Sequence, residues 1–209
     1  EVDKILVVSN HAKDTYVNTS ATVKNERTGD TMPYRLETPV EVVWESTLRP
    51  DPEEIPELNL DYDFNFLMVS QMGPRKNMTN AITWWVEEFI DQEVGLVLKT
   101  NIKCNSNIDR EATEQTLENI LSNYKDRKCK VYLLHGDLSS GQMVGLYNNP
   151  KIKSLVSISH GEGFGLPMFE AAREGLPIIT CGWSGHLDFL NHNDKDYFTP
   201  VQHQLAQIQ

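Results

Sequence analysis

Residues 155–180 read LVSISHGEGFGLPMFEAAREGLPIIT, and this stretch decides the fold. The apolar run at 155–158 predicts a buried strand, and a second run at 177–180 predicts another. Between them a glycine-rich turn leads into a predicted helix over 166–173, where Pro167 suits the first helical turn. A strand, a helix and a strand in succession form a βαβ unit, which joins two parallel strands.

The same alternation continues upstream of this unit. In one predicted helix the apolar residues are spaced at i, i+3, i+4, i+7 and i+8, which places them on one face: Ile82, Trp85, Val86, Phe89 and Ile90. The predicted strands cover 64–69, 94–98 and 130–134, and the predicted helices cover 79–92, 110–125 and 140–147. Short apolar strands between helices predict an α/β fold, a Rossmann-like parallel sheet with helices on both faces.

The N-terminal quarter of the chain has a different character. Strands are predicted at 4–8 and 39–44, and the residues 18–38 between them are polar with turn signals. The segment 48–63 is rich in carboxylates and contains three prolines. Such a composition is typical of a linker or a crossover on the surface.

Composition excludes several classes of function. The 209 residues are 39% hydrophobic, which suffices for a core, and the net charge is −11 with the basic residues scattered. Nucleic acid is therefore not an expected partner, because its backbone would be repelled. No apolar run is long enough to predict a transmembrane helix. The three cysteines are far apart and form no CxxC pair, which predicts a reducing compartment and a cytoplasmic location.

The turns at the carboxyl ends of the strands are where an open parallel sheet binds ligands. The most informative one is 159–165, whose three glycines let backbone N–H groups approach a ligand, and the helix after it favours phosphate. Glu162 and Glu170 bracket this turn and would accept hydrogen bonds from sugar hydroxyls. The combination indicates a ligand with phosphates and hydroxyl-rich rings. The alternative is a plain tight turn with two solvated glutamates.

These residues resemble a known family. The segment 160–180 is similar to the E-x7-E segment of retaining glycosyltransferases of the GT-B type, with Glu162 and Glu170 as its two glutamates. Further similarity lies, in the family's order, at FNFLMVSQMGPRKN, HGDLSSGQMVGLYNNP and SGHLDFL. The resemblance covers roughly residues 60–200 and implies the C-terminal half of a GT-B fold.

The opening residues EVDKILVVSNHAKD resemble the last strand and helix of the family's N-terminal acceptor domain. The resemblance thus implies three segments: a remnant of that domain and crossover over 1–45, a linker over 46–63, and a nucleotide-sugar donor-binding domain over 64–209, truncated at its C-terminus. A catalytic histidine and most acceptor contacts would come from the absent part of the acceptor domain. We therefore expect this fragment alone to be inactive.

The resemblance also implies roles for individual residues. Glu162 would contact hydroxyls of the donor sugar. Lys76 and Arg75 would neutralise the diphosphate as the glycosidic bond to it breaks, which is a form of electrostatic catalysis. Glu170 would bind the ribose hydroxyls. The other residues assigned to donor binding are Gly163, Phe164, Gly165, Leu166, Gln71 and His135.

Three of these positions leave alternatives open. Gln71 stands where the family usually has an arginine, and a neutral amide cannot replace that charge, so either Arg75 or Lys99 compensates or the site is weaker. His135 ends a strand where the nucleotide base would lie, but the sequence favours a strand-end histidine with satisfied hydrogen bonds. Asn77 replaces a usual glycine, which is a tolerable variant because asparagine accepts positive φ.

The implied reaction moves a hexosyl group from a nucleoside-diphosphate sugar to an acceptor with retention of anomeric configuration, in polysaccharide biosynthesis. The acceptor would be a sugar, a lipid-linked glycan or a protein. No cofactor and no metal are expected, because cationic side chains and a helix dipole serve this class. The full-length protein would be cytoplasmic or peripheral at the membrane. The alternatives are a non-catalytic nucleotide-binding module, favoured by Gln71, and a GT-B-like epimerase.

Overall fold

The computed structural model describes residues 2–55 and 58–206. The strands of this part of the chain are β1 (Ile5–Val7), β2 (Ser20–Lys24), β3 (Thr31–Arg35), β4 (Val40–Val42), β5 (Asn65–Val69), β6 (Gly95–Lys99), β7 (Lys130–Leu134), β8 (Ile152–Ser157), β9 (Ile178–Cys181), β10 (Asn191–His192), β11 (Lys195–Asp196) and β12 (Thr199–Val201). The helices are α1 (Asn10–Asn18), α2 (Met78–Glu88), α3 (Asn107–Leu121), α4 (Ser140–Tyr147), α5 (Leu166–Arg173) and α6 (Leu187–Leu190), and Pro74–Lys76 forms a 3-10 turn.

The main sheet has the spatial order β12-β9-β8-β5-β6-β7. Every neighbouring pair in it is parallel. Counted from β7 in chain order this is 3-2-1-4-5-6, the order of a Rossmann-like sheet, whose strand sequence reverses between β5 and β8. The α/β fold class expected from the sequence is confirmed, and the reversal fixes where a ligand site belongs.

The two faces of the sheet bury separate apolar clusters. On one face Phe66 and Leu98 pack with Ile82 of α2, while on the other Leu67 packs with Met168 of α5. Successive strand residues point to opposite faces, so a run such as Phe66-Leu67-Met68 fills both clusters. Continuous apolar strands are therefore required here, because helices cover the sheet on both sides.

The structure adds elements that the sequence interpretation lacked. The polar stretch 18–38 contains the antiparallel hairpin of β2 and β3, in which Val23 lies opposite Met32. Gly29 in its turn has φ 76°, a left-handed conformation that favours glycine. The sheet also gains β12, which is too short to produce a hydrophobic pattern. The helices predicted over 79–92 and 110–125 end earlier, at Glu88 and Leu121.

The segment before the main sheet lies on its helices. Glu53 donates its N–H to the carbonyl of Gly141 (2.9 Å), and its carboxylate accepts from Ser139 Oγ (2.8 Å). A Cβ atom at Gly145 would collide with the Glu53 carbonyl, so glycine permits this approach. Arg49 contacts Glu174 at 2.9 Å. The division into segments at 45 and 63 remains a prediction.

Among the described residues, no helix has both the length and the apolar character that crossing a bilayer requires.

Candidate functional site

A cavity of about 500 Å³ opens at the carboxyl ends of β5, β6 and β7, beside the reversal of strand order. Its walls come from the turns that follow these strands and from the start of α5. They include Ser70, Gln71, Lys76, Lys99, Thr100, Asn101, Asp137, Leu138, Met143 and Pro167. Its polar walls and its place in the sheet make it the candidate ligand site.

The glycine turn at the edge of this cavity is braced by the turn after β9. Glu162 donates its N–H to Ser184 Oγ, and that hydroxyl donates to the Glu162 carbonyl, both at 2.7 Å. Gly185 donates its N–H to the same carbonyl at 3.0 Å. A side chain at Gly185 would collide with the carbonyl of Gly163. The backbone on both sides of the Glu162 side chain is therefore fixed.

Three of the predicted site residues meet at the Glu162 carboxylate. Lys76 Nζ lies 2.6 Å from Oε1, and Arg75 Nη1 lies 3.3 Å from Oε2. Arg75 also donates to the Gly161 carbonyl at 2.6 Å, and its own carbonyl accepts the N–H of His160 at 2.9 Å. The carboxylate side chain is 9% exposed, against 20% for Lys76 and 61% for Arg75. Two ion pairs thus join the turn after β5 to the turn after β8.

The start of α5 shows how the remaining turn residues are used. Gly165 has φ 98°, and a side chain there would meet Met168. Phe164 is buried against Phe169 and Phe189, with ring centroids 5.4 and 5.1 Å away. Only its backbone remains to face a ligand.

Glu170 lies in α5 and contacts the neighbouring helix α4. Its Oε2 accepts a hydrogen bond from the hydroxyl of Tyr147 at 3.0 Å. Tyr147 is buried, and burial together with the nearby carboxylate raises the pKa of its phenol, which keeps it a neutral donor. The hydroxyl therefore fixes the direction of the Glu170 carboxylate.

Gln71 and Lys99 also line the cavity. Gln71 Nε2 donates to the carbonyl of Lys103 at 3.3 Å, and Lys99 Nζ donates to the carbonyl of Gly136 at 2.7 Å. Desolvation lowers the pKa of Lys99, and the charge of Asp137 opposes that effect. Both side chains thus border the cavity.

His135 is directed towards the interior of the domain. Its side chain is buried, and Nε2 lies 3.0 Å from Asp109 Oδ1. Asp109 also accepts the N–H groups of Ile102, Lys103 and Cys104 at 2.7–3.1 Å. The bond with His135 is the main reason why the pKa of this carboxyl lies well below its usual value, and the three N–H groups add to it.

Asp109 is a residue that the sequence interpretation missed. The signal was present: Ser106 caps α3 by accepting the N–H of Asp109 at 3.2 Å, and a serine three residues before an acidic residue marks a helix start. Ser184, which holds Glu162, also went unassigned, although it opens the family-like segment 184–190. In the described part of the chain, no group of three or more His, Cys, Asp or Glu side chains could hold a metal ion.

Several solved structures have a similar fold at low sequence identity. Sucrose-phosphate synthase from Thermosynechococcus elongatus is 18% identical over 91% of this chain and 43% of its own, with a TM-score of 0.60. S. aureus TarM, solved in complex with UDP and other ligands, is 15% identical over 95% of this chain and 34% of its own, with a TM-score of 0.56. A trehalose-6-phosphate protein from E. coli, bound with UDP-2-fluoro glucose, is 11% identical over 90% and 48%, with a TM-score of 0.56.

The chain has the fold of GT-B glycosyltransferases. It spans less than half the length of each of these three proteins. At such low identity the likeness concerns the fold alone. No protein-family model and no curated protein matches the sequence.

Proposed function

We propose that this chain is the donor-binding part of a glycosyltransferase that moves a hexosyl group from a nucleoside-diphosphate sugar to an acceptor with retention of configuration. The observation that carries the proposal is the contact of Lys76 and Arg75 with Glu162. These side chains meet beside a glycine turn, at the point of the sheet where ligands bind. Cations suit the phosphates of a sugar phosphate ester, and a carboxylate suits the hydroxyls of its sugar.

The two cations would stabilise the leaving diphosphate. When the bond between sugar and diphosphate breaks, negative charge grows on the phosphate oxygens, and cations already in place stabilise it without reorganising. Glu162 holds Lys76 and Arg75 in position before the ligand arrives. Its carboxylate would then accept hydrogen bonds from sugar hydroxyls, while the backbone of residues 163–166 lies next to the sugar.

The cavity and the ligands of the proteins of similar fold support the proposed class of donor. A volume of about 500 Å³ lies in the range of small-molecule sites. Two of the proteins compared above were solved with UDP or a UDP-sugar analogue. In our proposal Glu170, oriented by Tyr147, binds the ribose, and no metal or cofactor takes part. The three cysteines are free, which fits a reducing cytoplasm.

Calorimetric titration of the 209-residue chain with UDP-, GDP- and ADP-sugars tests donor binding. The nucleotide sugar with one of the three bases is expected to bind at least tenfold more tightly than those with the other two. In the full-length enzyme, Lys76→Ala should lower kcat more than it raises KM, because the charge it stabilises appears in the transition state. Arg75→Ala should impair turnover about as much. A Lys76 variant in which only KM changes would make Lys76 a binding residue and contradict its catalytic role.

The second candidate is a nucleotide-binding module without catalysis, and Gln71 favours it. This residue lines the cavity with an uncharged amide at a position where the resembled family carries an arginine. The two functions differ in one measurement. Under this alternative the full-length protein binds a nucleotide sugar with the same base preference but neither transfers nor hydrolyses it.

A further inference from the structure

The cations around the cavity are not equivalent. Arg75 and Lys76 share a single carboxylate, that of Glu162, which already neutralises part of their charge. Lys99 lies on another strand and lines the cavity together with Lys76 and Gln71. Two lysines, one from the turn after β5 and one from the end of β6, therefore border one polar cavity.

Lys99 lies one strand away from the reversal of strand order between β5 and β8. It is the last residue of β6, its Cα pairs with Val69 at the end of β5, and its carbonyl accepts the N–H of Ser70 at 3.1 Å. The side chain extends the other way, to the Gly136 carbonyl after β7. One N–H of the ammonium is used in this bond, and two remain for a ligand.

Lys99 forms no direct ion pair, and the charge of the Asp137 carboxylate acts on it from a longer distance. Within residues 2–55 and 58–206, no carboxylate oxygen lies within the 4.0 Å that defines an ion pair with its ammonium. Asp137 lines the same cavity, and its carboxylate accepts a hydrogen bond from Asn105. Partial burial of Lys99 favours its neutral form and lowers its pKa. An anion bound at this position would restore the interactions that desolvation removes.

We infer that Lys99 is a phosphate-binding residue of the donor site, which supplies the positive charge that Gln71 lacks. This inference rests on the proposed function. A diphosphate carries more negative charge than Lys76 can offset, because Glu162 is already paired with it. Lys99 faces the same space from the neighbouring strand. Gln71 lines the same cavity, and its uncharged amide donates to the Lys103 carbonyl at 3.3 Å.

The inference predicts a preference for a particular ligand class. Lys99 should contribute to binding of a diphosphate and much less to binding of the corresponding monophosphate or nucleoside. Its effect should also weaken moderately as the salt concentration rises, because ions screen a charge that is only partly buried. A lysine with only a structural role would affect all three ligands equally.

The experiment titrates the 209-residue chain with UDP, GDP and ADP, and then with the monophosphate and the nucleoside of whichever base binds. Lys99→Met is expected to weaken diphosphate binding about tenfold and monophosphate binding less than threefold. Adding Gln71→Arg to Lys99→Met should recover most of the loss. Lys125→Met is the matched control, because Lys125 is exposed outside the cavity. This variant should bind the diphosphate, the monophosphate and the nucleoside as tightly as the wild type does. Lys99→Gln is a second substitution at the same position. The melting temperature of each variant shows whether a loss of affinity comes from misfolding.

Each result has a distinct meaning. An equal loss for diphosphate, monophosphate and nucleoside in a folded Lys99 variant would overturn the role of Lys99 and leave the proposed function standing. Unchanged diphosphate affinity would do the same. If the wild-type chain binds none of the nucleotides, the proposed function itself fails, and the inference fails with it.

Discussion

Glu170 illustrates how one neighbour assigns a role to a residue. A carboxylate in the first turns of a helix is ordinary, but here a buried tyrosine hydroxyl from α4 donates to it at 3.0 Å. Burial raises the pKa of Tyr147, so its proton stays on the phenol and the hydrogen bond keeps its direction. One side of Glu170 is thereby fixed, and the carboxylate is preoriented for hydroxyl donors of a ligand.

We predict that Glu170→Gln removes the ability to recognise ribose. A hydrogen bond to a charged acceptor contributes about 1.5–3 kcal/mol, so the variant should bind UDP at least tenfold more weakly. The sharper measurement compares UDP with its 2′-deoxy analogue. The wild type should prefer the ribonucleotide, and the variant should not distinguish the two. Glu118→Gln, on the exposed side of α3, serves as control. If the Glu170 variant keeps the preference, another residue binds the ribose.

Between elements, the Asp109 side chain makes several connections at once. It connects the start of α3, the loop after β6 through three backbone N–H groups, and the end of β7 through His135. The Lys103 carbonyl in this loop accepts from Gln71, and Met72 donates its N–H to the Asn101 carbonyl at 2.7 Å. The position of the cavity wall formed by the loop after β6 therefore depends on the Asp109 carboxylate, which does not line the cavity itself.

We predict that Asp109→Asn loosens this wall. An amide has a single acceptor oxygen and lacks the charge, so it cannot hold three N–H groups and a histidine. The amides of residues 102–104 should exchange hydrogen at least tenfold faster than in the wild type, and donor affinity should fall severalfold. Asp126→Asn, at an exposed loop position, should change neither quantity. Full protection of these amides in the Asp109 variant would contradict its positioning role.

For the molecule as a whole, the sequence predicts most of the fold and less of the site. Strands such as β5 and β6 are continuous apolar runs because both faces are buried, and such runs are visible without coordinates. The pairing of Lys76 with Glu162 and of Asp109 with His135 joins residues 86 and 26 positions apart. No local pattern encodes such contacts, since the strand order creates them. The three-residue strand β12 is likewise invisible in the sequence, because its pairing with β9 and not a pattern of its own defines it.

The segment before the main sheet also depends on distant partners. Composition predicts a linker or surface crossover over 48–63. At its start, Arg49 binds Glu174, and the Thr47 hydroxyl accepts from Arg173 at 2.5 Å. Glu174 is fully buried at its side chain and receives a further hydrogen bond from Asn148 at 2.9 Å. Its carboxylate thus ties residues 47–49 to α4 and α5, which carry Tyr147 and Glu170.

This attachment should depend on pH in a defined direction. Arg49, followed by Asn148 and Arg173, lowers the pKa of Glu174 from 4.5 to about 2 against the effect of burial. A lowered carboxyl pKa stabilises the fold above the unfolded value of 4.5, and this stabilisation is lost as the pH falls from there towards 2.

We therefore predict that Glu174→Gln lowers the free energy of unfolding by on the order of 2 kcal/mol at pH 7. The difference from the wild type should shrink progressively below pH 4.5, because the wild-type carboxylate is then increasingly protonated in the unfolded chain. Urea unfolding at pH 7, 4.5 and 3.5 measures it. Glu114→Gln breaks only an exposed pair with Arg110 and should leave stability nearly unchanged at each pH. A gap between wild type and Glu174→Gln that stays constant down to pH 3.5 would mean that packing, not charge, attaches residues 47–49 to the domain.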